Sequence, residues 1–234
     1  MQQRTDSVTP IQNRTLLHSS TPPPAHARPM KHVTAISFLQ QSDPILAAVI
    51  ERVGPCLLTT DEGDLLSCLA ETIIYQQLSG KAAATIHRRF RQIYGETVPL
   101  TAAAILNTPD DVLRAAGLSR SKVTYIKDLA ERIQAGLPTL EELQELDDEA
   151  IAKTLTQIRG IGRWSVQMLL IFRLGRLDVL PTDDLGVRAA IQKLYGLEAL
   201  PDKKTMEELG QRWKPYRSIA VWYLWRSLDT PSTV

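Results

Sequence analysis

From Asp43 onward, apolar residues recur at intervals of three and four, and each such run is bounded by residues that start or stop a helix. Asp43-Pro44 reads as an N-cap followed by proline in the first turn, and Gly54 closes that helix. Asp64 opens the next, whose Leu65, Leu69 and Ile73 fall every four residues on one face. Ser79 caps a third helix ending near Gly95, and Thr108-Pro109 starts another closed by Gly117. Ser119 to Gly136, Thr139 to Leu146 and Asp147 to Gln157 follow, then Arg163 to Leu174, Asp183 to Tyr195, Asp202 to Trp213 and Pro215 to Leu228. No segment alternates convincingly as a strand, and no glycine-rich phosphate loop follows one. The pattern predicts an all-α chain of about ten or eleven helices without internal repeats. Residues 1–30 are polar, carry Pro22, Pro23 and Pro24 in a row and have little to bury, so they read as a disordered tail before a domain spanning about 31–230. Met30 is an alternative start of the chain.

A length of 234 residues suits one large domain or two small ones sharing an interface, and 44% hydrophobic residues can build its core. The net charge of +1 does not announce a nucleic-acid binder. Three stretches do hold only basic charges: Lys81, Arg88, Arg89 and Arg91; Arg159, Arg163, Arg173 and Arg176; and Arg212, Lys214, Arg217 and Arg226. They could converge on phosphates or be separate solvated faces, and without a motif the second reading is preferred. Two cysteines, Cys56 and Cys68, are too few for a four-thiolate iron–sulfur cluster or a cysteine-rich zinc site. Cys68 lies on an apolar face and reads as core. No apolar run is long enough to cross a membrane and no signal-peptide core opens the chain.

The informative segment is Leu155-Thr-Gln-Ile-Arg-Gly-Ile-Gly-Arg-Trp164. A turn this short between two helices needs glycine where φ is positive or where another backbone approaches. Ile161 can plug the space between the helices. The helix that follows then presents free N–H groups to a DNA phosphate, and turn carbonyls could hold a monovalent cation, Na or K, bridging to the same phosphate. An ordinary αα-hairpin with a glycine C-cap would look the same over Gly160-Ile161-Gly162 alone.

The wider context narrows this. Residues 155–173, followed by Leu180-Pro181-Thr182-Asp183-Asp184-Leu185-Gly186, resemble the helix-hairpin-helix plus Gly/Pro-Asp signature of the DNA glycosylase superfamily. Ile73-Ile74-Tyr75-Gln76-Gln77-Leu78-Ser79 and Trp213-Lys214-Pro215-Tyr216-Arg217-Ser218 through Trp225 add a resemblance to the 3-methyladenine DNA glycosylase II (AlkA-type) family, over about residues 38–228. The resemblance implies two helical lobes with a cleft between them and the hairpin at about 148–174. It also implies a monofunctional enzyme that flips alkylated purines of the 3-methyladenine and 7-methylguanine class out of duplex DNA and hydrolyses the N-glycosidic bond in base excision repair. The compact chain departs from members that carry an extra N-terminal β-rich domain.

Residue by residue, the resemblance makes Asp184 catalytic, and a carboxylate beneath the sugar would stabilise the positive charge of bond cleavage. Helix capping is the ordinary alternative for an Asp-Asp pair, with Asp183 or Thr182 expected to cap while Asp184 faces the sugar. Trp164 stands where strand-cutting relatives carry a lysine nucleophile, so no AP-lyase step is expected. Trp164 and Trp225 are expected to line the base pocket with π-faces that attract a cationic base, alongside Met168 and Tyr223. Met168 stands where some relatives place a tyrosine, which changes the pocket shape. Trp222 is expected to be structural. Gly160, Ile161, Gly162 and Arg163 form the DNA-binding hairpin. Gln77 matches the wedge that fills the hole left by the flipped base, though a polar residue at a helix end reads equally simply. His32 and His87 read as surface residues. No cofactor is expected beyond a structural Na or K ion at the hairpin, and the partner is double-stranded DNA bound by a monomer, in the cytoplasm at the nucleoid of a prokaryote or in the nucleus of a eukaryote. A non-catalytic hairpin module that only grips DNA, and a glycosylase for oxidised or mispaired bases, are the competing readings.

Overall fold

The computed structural model describes residues 32–229, so the tail at 1–30 lies outside the described residues. Thirteen α-helices and one 3-10 turn occur among them, without a strand: α1 (Val33–Ser42), α2 (Pro44–Val53), α3 (Leu65–Tyr75), α4 (Gly80–Tyr94), α5 (Ala102–Asn107), α6 (Asp110–Ala115), α7 (Arg120–Gln134), α8 (Leu140–Gln144), α9 (Asp148–Leu155), α10 (Arg163–Phe172), α11 (Leu185–Tyr195), α12 (Lys203–Gly210), the 3-10 turn Gln211–Trp213 and α13 (Arg217–Asp229). None is long and apolar enough to cross a membrane.

The predicted punctuation explains most of these boundaries. Side chains of Asp43, Asp64, Ser79, Ser119, Thr139, Asp147 and Asp202 accept N–H groups of the helices they start. The expected division of labour at Asp183-Asp184 is corrected: Asp184 itself caps α11, accepting from the Val187 N–H, and Asp183 is exposed. Two helices went unread in the sequence, although Thr101 caps the second. α1 starts at His32, which has φ 74° and no capping side chain, and is held by burial of Ala35 and Leu39. α5 is only six residues, too short to show a period.

Both ends of the chain build one layer. α1 and α2 pack on each other and on α13, α13 packs on α11, and the 3-10 turn joins α1 to α12. The second group centres on α7, which packs on α3, α5 and α6, with α4 on α3. α9 and α10 form the hairpin pair, and one continuous apolar core runs through both groups.

A buried carboxylate fastens the first layer. Asp43 is fully buried, and its Oδ1 caps α2 through the N–H groups of Ile45 and Leu46 at 3.0 and 3.1 Å. Its Oδ2 accepts from the Tyr195 hydroxyl at 2.5 Å and the Trp213 indole at 2.9 Å. Burial, then the neighbouring carboxylate, push the Tyr195 phenol far above its ordinary range, so it stays a donor. Removing one partner from such a network orphans the others. Asp43→Ala should therefore lower stability by about 3 kcal/mol, two orphaned buried donors at roughly 1–3 kcal/mol each. Urea unfolding checks this; a loss below about 1 kcal/mol, the size of an ordinary substitution, would contradict it.

Candidate active site

Asp184 sits where three helices meet. The turn Pro181-Thr182-Asp183-Asp184 is closed by the Asp184 N–H on the Pro181 carbonyl at 3.1 Å, which puts the carboxylate at the head of α11. One oxygen, Oδ1, accepts from the Val187 N–H at 2.8 Å and from the Trp225 indole N–H of α13 at 3.0 Å. The other, Oδ2, accepts from the Trp164 indole N–H of α10 at 2.7 Å. All three partners can only donate, which suits a carboxylate acting as acceptor. The residue is 9% exposed. Gly186 leaves room for this arrangement: a Cβ there would come within 3.1 Å of Asp184 Oδ1 and 3.2 Å of the Trp225 ring.

Beside it lies a cavity between two helices. α10 supplies Trp164, Met168, Leu169 and Phe172, and α3 supplies Cys68, Glu71, Thr72 and Tyr75, each set on one face by the i, i+4 spacing of a helix. Asp61 and Arg173 complete the lining. Arg173 reaches Glu71 at 3.6 Å and donates to the Glu62 carbonyl, while the Asp61 N–H bonds the Phe172 carbonyl at 2.8 Å. The connection between α2 and α3 is thereby tied to the end of α10.

Trp164 and Met168 line this cavity as expected. Trp225 does not: its indole N–H serves Asp184, and its ring stacks on Phe172 with centroids 5.8 Å apart. Phe172 presents the aromatic wall in its place. Tyr223 is corrected outright. It is fully buried and its hydroxyl donates to the Gly54 carbonyl at 2.9 Å. Two residues along a helix turn the side chain by about 200°, so Tyr223 and Trp225 cannot share a face. Trp222 is buried, as expected, edge-on to Tyr223.

The hairpin divides its glycines by role. Gly160 has φ 83°, and a Cβ there would overlap the Tyr125 ring of α7. Gly162 has an extended backbone, and a Cβ there would meet nothing within 4 Å. Ile161 is buried as the plug. The first turn of α10 has no capping side chain. Arg163 is exposed and pairs with Glu149 at 2.6 and 3.1 Å. The loop after α3 is braced from two sides. The Gln76 amide donates to the Gly160 carbonyl at 2.7 Å, and Lys122 donates to the carbonyls of Ile74 and Gln76 at 2.7 and 2.8 Å. Burial lowers the Lys122 pKa from its ordinary value. Gln77, at the tip, is exposed and held at φ 57°, a conformation that costs a non-glycine residue about 1–3 kcal/mol.

The basic stretches do not act as one surface. Arg91 serves carbonyls of the loop after α4, Arg176 those of Gln144 and Leu146, and Arg217 grips Asp178 at 2.6 Å. Lys81, Arg88 and Arg89 of α4 are exposed. His87 is half-buried edge-on to Tyr75, and His32 is half-buried with its ring nitrogen 3.2 Å from the Leu58 carbonyl, so neither is a simple surface residue. Glu71, Tyr75, Phe172 and Arg173 were missed from sequence. Glu71 did leave a signal, as the one charge in the apolar helix LLSCLAETIIY.

Comparison with known proteins agrees with this geometry. Residues 70–215 match the family model of the HhH-GPD superfamily base excision DNA repair proteins. DNA-3-methyladenine glycosylase 1 of Schizosaccharomyces pombe is 40% identical over 160 residues, covering 68% of this chain and 70% of that protein. The solved structure of a Schizosaccharomyces pombe 3-methyladenine DNA glycosylase in complex with abasic DNA superposes with a TM-score of 0.79 at 34% identity, covering 86% of this chain and 100% of that one. A DNA-3-methyladenine glycosidase from Bacillus halodurans superposes with a TM-score of 0.74 at 33% identity, covering 88% of this chain and 92% of that one. The chain belongs to the HhH-GPD superfamily of base excision DNA repair proteins.

Proposed function

We propose that the protein is a DNA glycosylase of the 3-methyladenine type, which extrudes alkylated purines from duplex DNA and hydrolyses their bond to the sugar. The observation that carries this is Asp184, whose two oxygens are fixed by three N–H donors beside a cavity lined by Trp164, Tyr75 and Phe172. As the N-glycosidic bond breaks, its electron pair leaves with the base and positive charge builds on the sugar. A fixed carboxylate stabilises that charge without reorganising. It also orients the water that adds to the sugar and accepts its proton. Alkylation at a ring nitrogen makes the base cationic and an easy leaving group, so no strong acid is needed. Exposed Gln77 fills the gap left in the duplex.

The reaction stops at the abasic site. Trp164 cannot form a Schiff base, and no lysine is among the residues lining the cavity. The hairpin binds phosphate through the uncapped first turn of α10. The turn's carbonyl oxygens, of which Gly160's also accepts the Gln76 amide, are a hard donor set that would suit a Na or K ion; bound there, the ion would add positive charge facing the phosphate. The protein acts as a monomer on damaged double-stranded DNA.

Asp184→Asn keeps the size of the side chain and removes its charge. It should abolish release of bases from methylated DNA while the protein stays folded and binds abasic DNA; a folded variant with near wild-type release would overturn the proposal. Borohydride treatment during turnover should trap no covalent protein–DNA adduct, and a strong adduct would identify a nucleophile elsewhere.

The two hairpin glycines should respond differently. Gly162→Ala should leave the thermal midpoint nearly unchanged yet weaken binding to damaged and undamaged DNA alike, because the contact is to phosphate. Gly160→Ala should unfold earlier, since it meets both a positive φ and the Tyr125 ring. Equal DNA affinity of Gly162→Ala and wild type, measured by fluorescence anisotropy, would remove the phosphate role.

A further inference from the structure

Selection of a cationic base was expected from the faces of two tryptophans, and only one of them lines the cavity. Trp225 gives its edge to Asp184 and a face to Phe172. The cavity itself carries charge instead. Its lining contains two carboxylates, Asp61 and Glu71, against one guanidinium, Arg173. Asp61 sits on an exposed loop, whereas Glu71 projects from the middle of α3, between Cys68 and Tyr75, which line the cavity with it. Arg173 has only 11% of its side chain exposed and holds Glu71 from the end of α10 at 3.6 Å. The Glu71 charge raises the pKa values of Cys68 and Tyr75 and opposes the fall at His87, in each case second to or below burial.

We infer that Glu71 is the specificity-determining residue for charge in the base pocket: it supplies the counter-charge for an extruded cationic purine and accepts a hydrogen bond from the base's exocyclic amino group. The inference rests on the glycosylase reading above. Arg173 is a positioning residue, paired with one oxygen of the carboxylate at 3.6 Å. The Glu71 side chain is 40% exposed before a base binds; once a bound base covers it, one unit charge at contact distance separates a cation from its neutral isostere by about tenfold. A flat aromatic wall adds to this without choosing between alkylated positions. The pocket thus favours any alkylpurine that is positively charged and carries an amino group, and it disfavours neutral lesions of the same shape.

The test compares two duplexes bound by the full-length protein. One carries 2′-fluorinated 7-methylguanine, which is cationic and resists cleavage; the other carries 7-deaza-7-methylguanine, which has the same shape and amino group but no charge. Wild type should prefer the cationic duplex, and Glu71→Gln should reduce that ratio of affinities about tenfold. Glu71→Asp, which keeps the charge, should retain most of the preference. A wild-type ratio near one, an unchanged ratio in Glu71→Gln, or an equal collapse in Glu71→Asp would each overturn the inference. Release of 7-methylguanine from ordinary methylated DNA by the wild type separates the two levels. If there is none, the glycosylase reading fails; if there is release and the ratio does not move, only the role of Glu71 fails.

Discussion

One carboxylate joins three parts of this molecule. Asp184 caps α11 through the Val187 N–H and receives an indole N–H from α10 and another from α13. A buried carboxylate without partners would be costly, so the three helices must close on it together. Trp164 reaches it from the hairpin, and Trp225 from the helix that packs on α2 and α11. The group proposed to be catalytic is thus also the joint between the chain-end layer and the hairpin. Capping, which sequence reasoning set against catalysis, does not exclude the proposed role: the Asp184 carboxylate caps α11 and also faces both indoles.

The surroundings follow from that joint. With both indole edges turned to Asp184, Trp225 can offer the cleft only what lies in front of it, and that is Phe172. The cleft is then one face of α10 against one face of α3. α3 continues into a loop whose Gln76 is bonded to Gly160 of the hairpin. The hairpin, the loop after α3 and the pocket therefore share a short path of direct contacts. Lys122 stiffens that path by occupying the carbonyls at the end of α3.

Local chemistry was legible in the sequence wherever it was local. Asp and Ser caps, Pro44 after Asp43 and the glycine stops marked most helices, because each acts within four residues of itself. α1 was invisible because tertiary burial of Ala35 and Leu39, and no cap, holds it. Asp184, Trp164, Met168 and the hairpin were singled out through ordered motifs, and the structure places Trp164 and Met168 in one cavity with Asp184 bonded to Trp164. Tyr223 was misplaced because adjacency in sequence was read as adjacency in space, against the turn of a helix. The Glu71–Arg173 pair joins residues about a hundred positions apart, and no periodicity within either helix connects them.

The central claim is that a carboxylate fixed by two indole N–H groups carries the chemistry. Replacing Trp164 and Trp225 together by phenylalanine keeps aromatic rings and removes both donors. The direct measurement is the single-turnover rate of base release from methylated DNA by that double variant, with affinity for abasic DNA as control. Each hydrogen bond to a charged group contributes about 1.5–3 kcal/mol. The account requires a rate at least tenfold below wild type with abasic-DNA affinity retained. A folded double variant that releases the base at the wild-type rate would contradict it.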